Sequence, residues 1–421
     1  MATFQCAQTE VQALLTYYSM ILGVMSACSA FLVNRFQTKK LFITCVTGFC
    51  ITTAGMAFSN SIGMMLFFRI LQAISAGSIS TMSLMIALQI FPKDQKGTGT
   101  GIIGMIMFAS PALAPTITGL IIDAYGFRGV FLMLAVMLAV IDVLSLFFVI
   151  NIERSTTELP KLDVVSVLLY ALGFAGFNFG MTNASKYGIA DMKSGGLLLI
   201  AVILLVIFAV RNVRSENPLL RLKLFTSFKF ACCVFMACVI YLNLMLCEQM
   251  SQQYLQVIRG FSASKAGMIA TAASILVVFV SLLGGKFYDK KGGKLFCIAG
   301  FLPMAVGIVG MTISGTWMPI VLFALFYGIA NLANGWLLQP MNAYLTEGLP
   351  AENVNHGVAL SNSLRMIFGS VASNIIVSSA SAFSGSGGLD VRGYTIAMAI
   401  LAAIIIVALL VAVFGLKPAR E

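Results

Sequence analysis

The chain has 421 residues, of which 59% are hydrophobic and only 10% are charged, and its formal net charge is +11. A water-soluble domain of this length needs far more polar surface, so the composition excludes that class. Apolar runs of about 18 or more residues recur along the sequence, and each is long enough to cross a ~30 Å hydrocarbon layer. The sequence therefore predicts an all-α polytopic membrane protein.

In chain order, thirteen apolar segments are predicted to span the membrane. They cover residues 10–33, 41–59, 61–91, 101–123, 130–150, 164–185, 196–213, 230–258, 267–286, 295–314, 317–347, 358–382 and 395–415. If the loop after the first span lies in the cytoplasm, 18 of the 26 Lys and Arg residues fall on the cytoplasmic side and 6 on the other. This asymmetry follows the positive-inside rule and predicts a cytoplasmic C-terminus. The positive charge is thus explained by membrane topology, and no nucleic-acid partner is predicted.

Two short basic loops occupy matching places in the two halves of the chain. FLVNRFQTKKLF follows the first span, and GGKFYDKKGGKLF follows the ninth. A weak repeat of this kind is typical of transporters built from two related bundles. We predict an N-terminal bundle over residues 1–150, two inserted helices and a basic cytoplasmic linker over 151–227, and a C-terminal six-helix bundle over 228–421.

The eighth span ends in an unusually polar run, LCEQMSQQYLQ, at residues 246–256. At 100° per residue, Tyr241, Glu248 and Gln252 fall within ~40° of one another, and Gln256 lies at the edge of the same face. A carboxylate in hydrocarbon costs at least ~2.5–3.5 kcal/mol, so it persists only where it faces protein or water. We predict that this face lines a wet path in which Glu248 exchanges a proton. The alternative is a water-exposed outer vestibule in which Glu248 has no coupling role.

The eleventh span carries a second polar face. Asn331 and Asn342 lie within ~40° of each other on an ideal helix, and Asn334 is close to them. Neutral amides can hydrogen-bond a ligand without fixing its charge, and Trp336 can stack on an aromatic or cationic one. Amides also hold membrane helices together, and that reading remains open.

Four short motifs occur in order along the chain. RILQAISAG contains Arg69 in an R-x-x-Q pattern, and ASPALAPTITG contains Pro111, Pro115 and Gly119. NSLRMIFGS places Arg365 three residues after an asparagine.

The remaining motif, which precedes NSLRMIFGS in the chain, is the second basic loop, GGKFYDKKGGK. In it, Gly285, Asp289 and Gly292 match the pattern G-x-x-x-D-[RK]-x-G. With the other three it resembles the major facilitator superfamily, and more narrowly its fourteen-helix drug:proton antiporter branch of the EmrB/QacA and lincomycin-resistance type. The resemblance implies the major facilitator fold, with about 13 transmembrane helices in two bundles plus two inserted helices.

The sequence departs from the family pattern in several places. Asn34 stands where the first basic loop usually has an aspartate, and the usual glycines of the motifs are replaced by Gln37, Ala73, Ala114 and Thr118. EVQALLTYYSM resembles the second helix of the family, so the first helix is predicted to be missing, either because translation starts upstream or because the chain is a degraded transporter.

The resemblance also implies roles for the motif residues. Arg69 helps proton transfer, or it merely snorkels outward. Pro111 and Pro115 break their helix locally and let its halves rock, or they are ordinary membrane prolines. Asp289 forms an inside gate with Lys290 and Lys291, or this loop is only a solvated turn that sets the membrane topology. Arg365 clamps neighbouring carbonyls.

The function expected from these features is proton-coupled export of hydrophobic or cationic compounds from a bacterial cell, by alternating access. The partners are then a drug-like small molecule, protons and the lipid bilayer of the plasma membrane. The alternatives are a solute facilitator or importer, and a truncated relative that does not transport. The sequence has no G-x-x-x-x-G-K-[ST] loop and no C-x-x-C pair, so no cofactor, metal or enzymatic activity is predicted.

Overall fold

The computed structural model describes residues 8–151, 163–187, 191–215, 218–314, 317–384 and 390–416. Its regular elements are helices throughout this part of the chain. The α-helices are α1 (Gln8–Arg35), α2 (Thr38–Ala57), α3 (Ile62–Ile90), α4 (Lys96–Phe148), α5 (Val164–Tyr187), α6 (Leu197–Arg214), α7 (Phe228–Gln253), α8 (Ala263–Lys291), α9 (Gly293–Ile313), α10 (Ile320–Leu337), α11 (Pro340–Thr346), α12 (Ala351–Phe383) and α13 (Val391–Leu410). Single π or 3₁₀ turns at Met192–Gly196, Leu222–Thr226, Tyr254–Ile258 and Val411–Gly415 adjoin α6, α7 and α13.

Ten of the described helical stretches are long and apolar enough to cross a membrane. The remaining long helices, α8, α12 and the first part of α4, lie at three further predicted spans. The all-α membrane fold is therefore confirmed. α12 begins at Ala351, seven residues before the predicted span 358–382, and includes His356.

The helix α4 contains two predicted spans. Gly126 separates them, since its φ of 68° and ψ of −174° are non-helical. A side chain rarely adopts this positive φ, which explains a glycine at the bend. The expected local break at Pro111 and Pro115 is wrong, because the helix keeps helical dihedral angles through both prolines. Pro111 is exposed, and the structure does not describe the burial of Pro115 and Gly119.

The eleventh predicted span is two helices rather than one. α10 ends at Leu337, and α11 begins at Pro340, which occupies its first turn. Proline fits there because a first-turn residue needs no N–H donor. The polar face that a continuous helix would give to Asn331 and Asn342 is consequently interrupted.

The helices form two groups that meet along two seams. α1 to α4 pack together, α7 to α13 pack together, and the seams are formed by α1 against α12 and by α4 against α8. The inserted helices α5 and α6 pack on each other, and α5 also contacts α1 and α12. The domain limits proposed from the sequence stay predictions.

A charged pair joins the ends of the two inserted helices. Asp163 caps α5 by accepting from Ser166, and Arg211 near the end of α6 donates to the same carboxylate over 3.0 and 3.1 Å. The Arg211 guanidinium lowers the pKa of Asp163 to about 2. The pair holds the start of α5 beside the end of α6, as a helical hairpin requires.

Small residues bring α4 and α8 into close contact. A Cβ atom on Gly285 would lie 2.1 Å from the carbonyl oxygen of Gly97, and one on Gly101 would lie 2.8 Å from that of Ser281. Such approaches of backbone to backbone are typical of membrane helices that cross at glycines. The seam therefore depends on the absence of side chains at these positions.

We expect Gly285→Ala to destabilise the protein by about 1–3 kcal/mol, because the added methyl group would overlap backbone atoms that cannot move aside. Gly328→Ala in α10 is the matched control, since no atom lies within 4 Å of its added Cβ. Thermal unfolding of both purified variants in detergent would measure the difference. Equal melting temperatures for the two variants would contradict the proposed close seam.

Candidate functional site

One face of α7 carries polar side chains that neighbouring helices leave open. Ser227 starts α7 by accepting a hydrogen bond from the backbone of Phe230. We call the open face the polar strip; its members are Tyr241, Glu248, Gln249, Gln252 and Gln256. Glu248, Gln249 and Gln256 are exposed, Tyr241 and Gln252 are half-buried, and the rest of α7 is largely buried. Within the strip, Gln256 donates to Gln252 over 3.0 Å.

Arg365 of α12 adjoins the Tyr241 end of the polar strip. The helix α12 packs along α7. The ring of Tyr241 lies one helical turn further along α12, where a Cβ on Gly369 would be 2.6 Å away. A buried arginine therefore lies near one end of the α7 face that contains Glu248.

The hydrogen bonds of Arg365 are incomplete. Its side chain is only 8% exposed. Nη2 donates to Asn362 one turn earlier, whereas Nε and Nη1 have no partner among the described residues. The bond reaches a side-chain amide rather than the backbone carbonyls expected from the sequence.

The amides of α10 and α11 make contacts inside the protein. Asn334 is fully buried and accepts a hydrogen bond of 3.0 Å from Asn243 of α7. Asn331 donates to the carbonyl of Tyr327 over 3.1 Å, and Asn342 donates to that of Gln339 over 3.1 Å. The Asn243–Asn334 bond supports the helix-joining alternative, whereas the bonds of Asn331 and Asn342 stay within their own helical segments. Sequence reasoning missed Asn243, although it is an amide in an otherwise apolar part of α7.

Trp336 packs within the C-terminal helices. Its Nε1 donates to the carbonyl of Phe296 over 3.2 Å, and its ring lies 5.2 Å from that of Phe287. The indole therefore fills the space between α10, α8 and α9. No described contact brings it to the polar strip.

Asp289 links the two groups of helices at the α4–α8 seam. Its carboxylate accepts from the backbone N–H of Gly97 over 2.8 Å, from the backbone N–H of Thr98 over 2.7 Å and from the Thr98 hydroxyl over 2.6 Å. These donors belong to the first turn of α4, where backbone N–H groups have no partner within the helix. Gly292 follows with a φ of 78° and ends α8, so the chain turns directly into α9.

An uncharged contact links the other seam at the same end of the molecule. Asn34 near the end of α1 accepts from Asn355 in the first turns of α12 over 2.7 Å, and Asn355 accepts from Gln89 over 3.2 Å. Both asparagines are buried. Both seams are thus hydrogen-bonded at the end that carries the basic loops, which we call the basic end.

Arg69 belongs to a separate network among the N-terminal helices. Its guanidinium lies 4.1 Å from the centre of the Tyr18 ring and donates to Gln72 over 2.7 Å. Gln72 in turn donates to Thr53 over 2.7 Å, which connects α3 with α1 and α2. No described contact joins Arg69 to Glu248.

Comparison with known proteins gives a match over most of the chain. A family model described as Major Facilitator Superfamily matches residues 1–373. The lincomycin resistance protein LmrB of Bacillus subtilis is 26% identical to this chain over 87% of it and 77% of LmrB. The multidrug export protein EmrB of Escherichia coli is 24% identical over 84% of this chain and 70% of EmrB.

A solved structure supports the same architecture. The proton:xylose symporter XylE matches this chain with a TM-score of 0.68 at 15% identity, and the match covers 99% of this chain and 89% of that one. At this identity the likeness concerns the fold alone.

We expect Asp289→Ala to speed hydrogen exchange at the start of α4 by about tenfold, because removing a side-chain cap costs roughly 1–2 kcal/mol. Mass spectrometry of the peptide that contains Gly97 and Thr98 would measure the change. Lys290→Ala is the control, since Lys290 is an exposed neighbour. If both variants exchange like the unmodified protein, the carboxylate does not hold this seam.

Proposed function

Because the chain belongs to the major facilitator superfamily and is a multi-pass membrane transporter, we propose that it exports hydrophobic, drug-like compounds in exchange for protons. Members of this family bind small molecules and have no enzymatic activity. The relatives that are named for lincomycin resistance and multidrug export support an efflux role.

The polar strip is the observation that carries this proposal. It contains one carboxylate and three glutamine side chains on a helix whose other faces are covered by protein. Facing such a strip towards lipid would cost several kcal/mol, since each ionised or amide group would lose its hydration. A water-filled path between the two bundles avoids that cost, and there Glu248 can bind and release a proton.

The contacts at the basic end support alternating access. Asp289 and Asn34 each join an N-terminal helix to a C-terminal helix, and these contacts must break if that end is to open. The positive-inside rule places the basic loops, and with them the C-terminus, in the cytoplasm. We therefore propose that the structure is a conformation closed towards the cytoplasm of a bacterial cell.

We expect Glu248→Gln to reduce proton-driven efflux by at least about tenfold, because the amide keeps the shape of the side chain but cannot exchange a proton. Proteoliposomes that contain the full chain and either rhodamine 123 or fluorescein, with an imposed pH gradient, would measure the flux of each dye and its direction. Glu352→Gln is the matched control, because it makes the same change at an exposed residue of the basic end.

Three results of this assay would each exclude part of the proposal. Equal flux in the Glu248→Gln variant and in the unmodified protein would exclude the coupling role. Dye movement down its own gradient without any effect of pH would instead indicate a facilitator. If the unmodified protein moves no dye, a transport role for this class of compound fails.

A further inference from the structure

Arg365 carries a buried positive charge for which the described residues supply no negative partner. The three ion pairs of the described chain join Arg211 to Asp163, Arg221 to Glu352 and Lys229 to Glu347, and none includes Arg365. Two of its three guanidinium nitrogens have no hydrogen-bond partner in this part of the chain. A buried guanidinium without a carboxylate or further acceptors is a costly arrangement.

The depth of Arg365 in the membrane increases that cost. It lies 14 residues after the start of α12 and 18 residues before its end, or ~21 Å and ~27 Å along the helix axis. The predicted span 358–382 begins seven residues earlier, so Arg365 lies ~10 Å inside the edge of the hydrocarbon core. Because Arg365 is only 8% exposed, its charge must be compensated inside the protein.

Arg365 lies next to the path that the proposed function assigns to the substrate. The ring of Tyr241 packs against Gly369, one helical turn after Arg365, and the half-buried Tyr241 begins the open face of α7. The unpartnered nitrogens are themselves buried in this structure. A ligand therefore reaches them when the two bundles move apart, as alternating access requires.

We propose that Arg365 binds an anionic group of the transported compound, such as a carboxylate. This inference rests on the proposed function, because it assigns the substrate to the same path. An arginine prefers oxyanions, since its fixed N–H groups form short charge-assisted hydrogen bonds with them. A compound that carries only positive charge would be repelled there, so the cationic class expected from the sequence is disfavoured and acidic amphiphilic compounds are favoured.

Two dyes with the same xanthene ring system test the charge preference. Fluorescein is anionic and rhodamine 123 is cationic at pH 7.5, and fluorescence anisotropy of each dye with the purified full chain gives its dissociation constant. We expect the unmodified protein to bind fluorescein. Arg365→Gln should weaken that binding by at least about tenfold, as expected for the loss of one charge-assisted contact. Binding of rhodamine 123 should stay the same or become tighter.

Further variants separate the anion site from general damage. Arg128→Gln makes the same change at an exposed arginine and should leave fluorescein binding unchanged. Arg365→Lys keeps the charge and should bind fluorescein more tightly than Arg365→Gln. If Arg365→Gln does not give a monodisperse protein, Arg365→Lys is used alone. It should weaken the binding of fluorescein without weakening the binding of rhodamine 123.

The proposal is overturned if the unmodified protein does not bind fluorescein, or if Arg365→Gln binds fluorescein with an unchanged dissociation constant. It is also overturned if the Arg365 variants lose affinity for both dyes to the same extent. A different pair of results is expected if proton-coupled export is wrong but the anion site is correct. Glu248→Gln then leaves the dye flux unchanged, and Arg365→Gln still loses fluorescein binding.

Discussion

The cost of placing a polar or charged group in hydrocarbon explains most of the contacts that hold this protein together. Arg69 lies against the Tyr18 ring and donates to Gln72, and Asn243 donates to Asn334. Each of these polar groups finds at least one partner on a neighbouring helix or turn, which offsets part of its desolvation within the protein. Several buried polar atoms lack a partner among the described residues, and Arg365 is the cationic side chain among them, with two unpartnered nitrogens. Polar groups without a partner inside the protein are expected where the protein binds a ligand.

The weak internal repeat in the sequence corresponds to two equivalent contacts in the structure, one at each seam. At one seam a side chain near the end of α8 reaches the start of α4, and at the other a side chain near the end of α1 reaches the start of α12. Asp289 offers a full negative charge to the unpaired N–H groups of α4, and such bonds are about twice as strong as neutral ones. Asn34 makes a neutral contact with Asn355 instead. The asparagine at position 34 therefore makes the hydrogen bond at the α1–α12 seam weaker than those at the α4–α8 seam, but both seams remain linked.

Much of the fold could be predicted from the sequence, because spans depend on local hydrophobicity and topology depends on where lysine and arginine lie. The polar strip was also predictable, since Tyr241, Glu248 and Gln252 share one helix and their angles follow from the helical period. Contacts between helices were not predictable in this way. Periodicity identifies the polar face that contains Asn334, but it cannot tell that Asn243 covers it from another helix. The break before Pro340 was missed because the apolar pattern runs through it.

The relation between Arg365 and Glu248 decides whether either charge is available to a ligand. Tyr241, which borders Arg365, precedes Glu248 by seven residues, so the two charges are separated by on the order of 10 Å along α7. At an effective dielectric constant of about 20, opposite charges at that distance attract by only about 1.7 kcal/mol. Burying one unpaired ion costs several kcal/mol, so Glu248 cannot compensate Arg365. In the proposed mechanism, Glu248 therefore exchanges the proton while Arg365 binds the anionic group of the ligand.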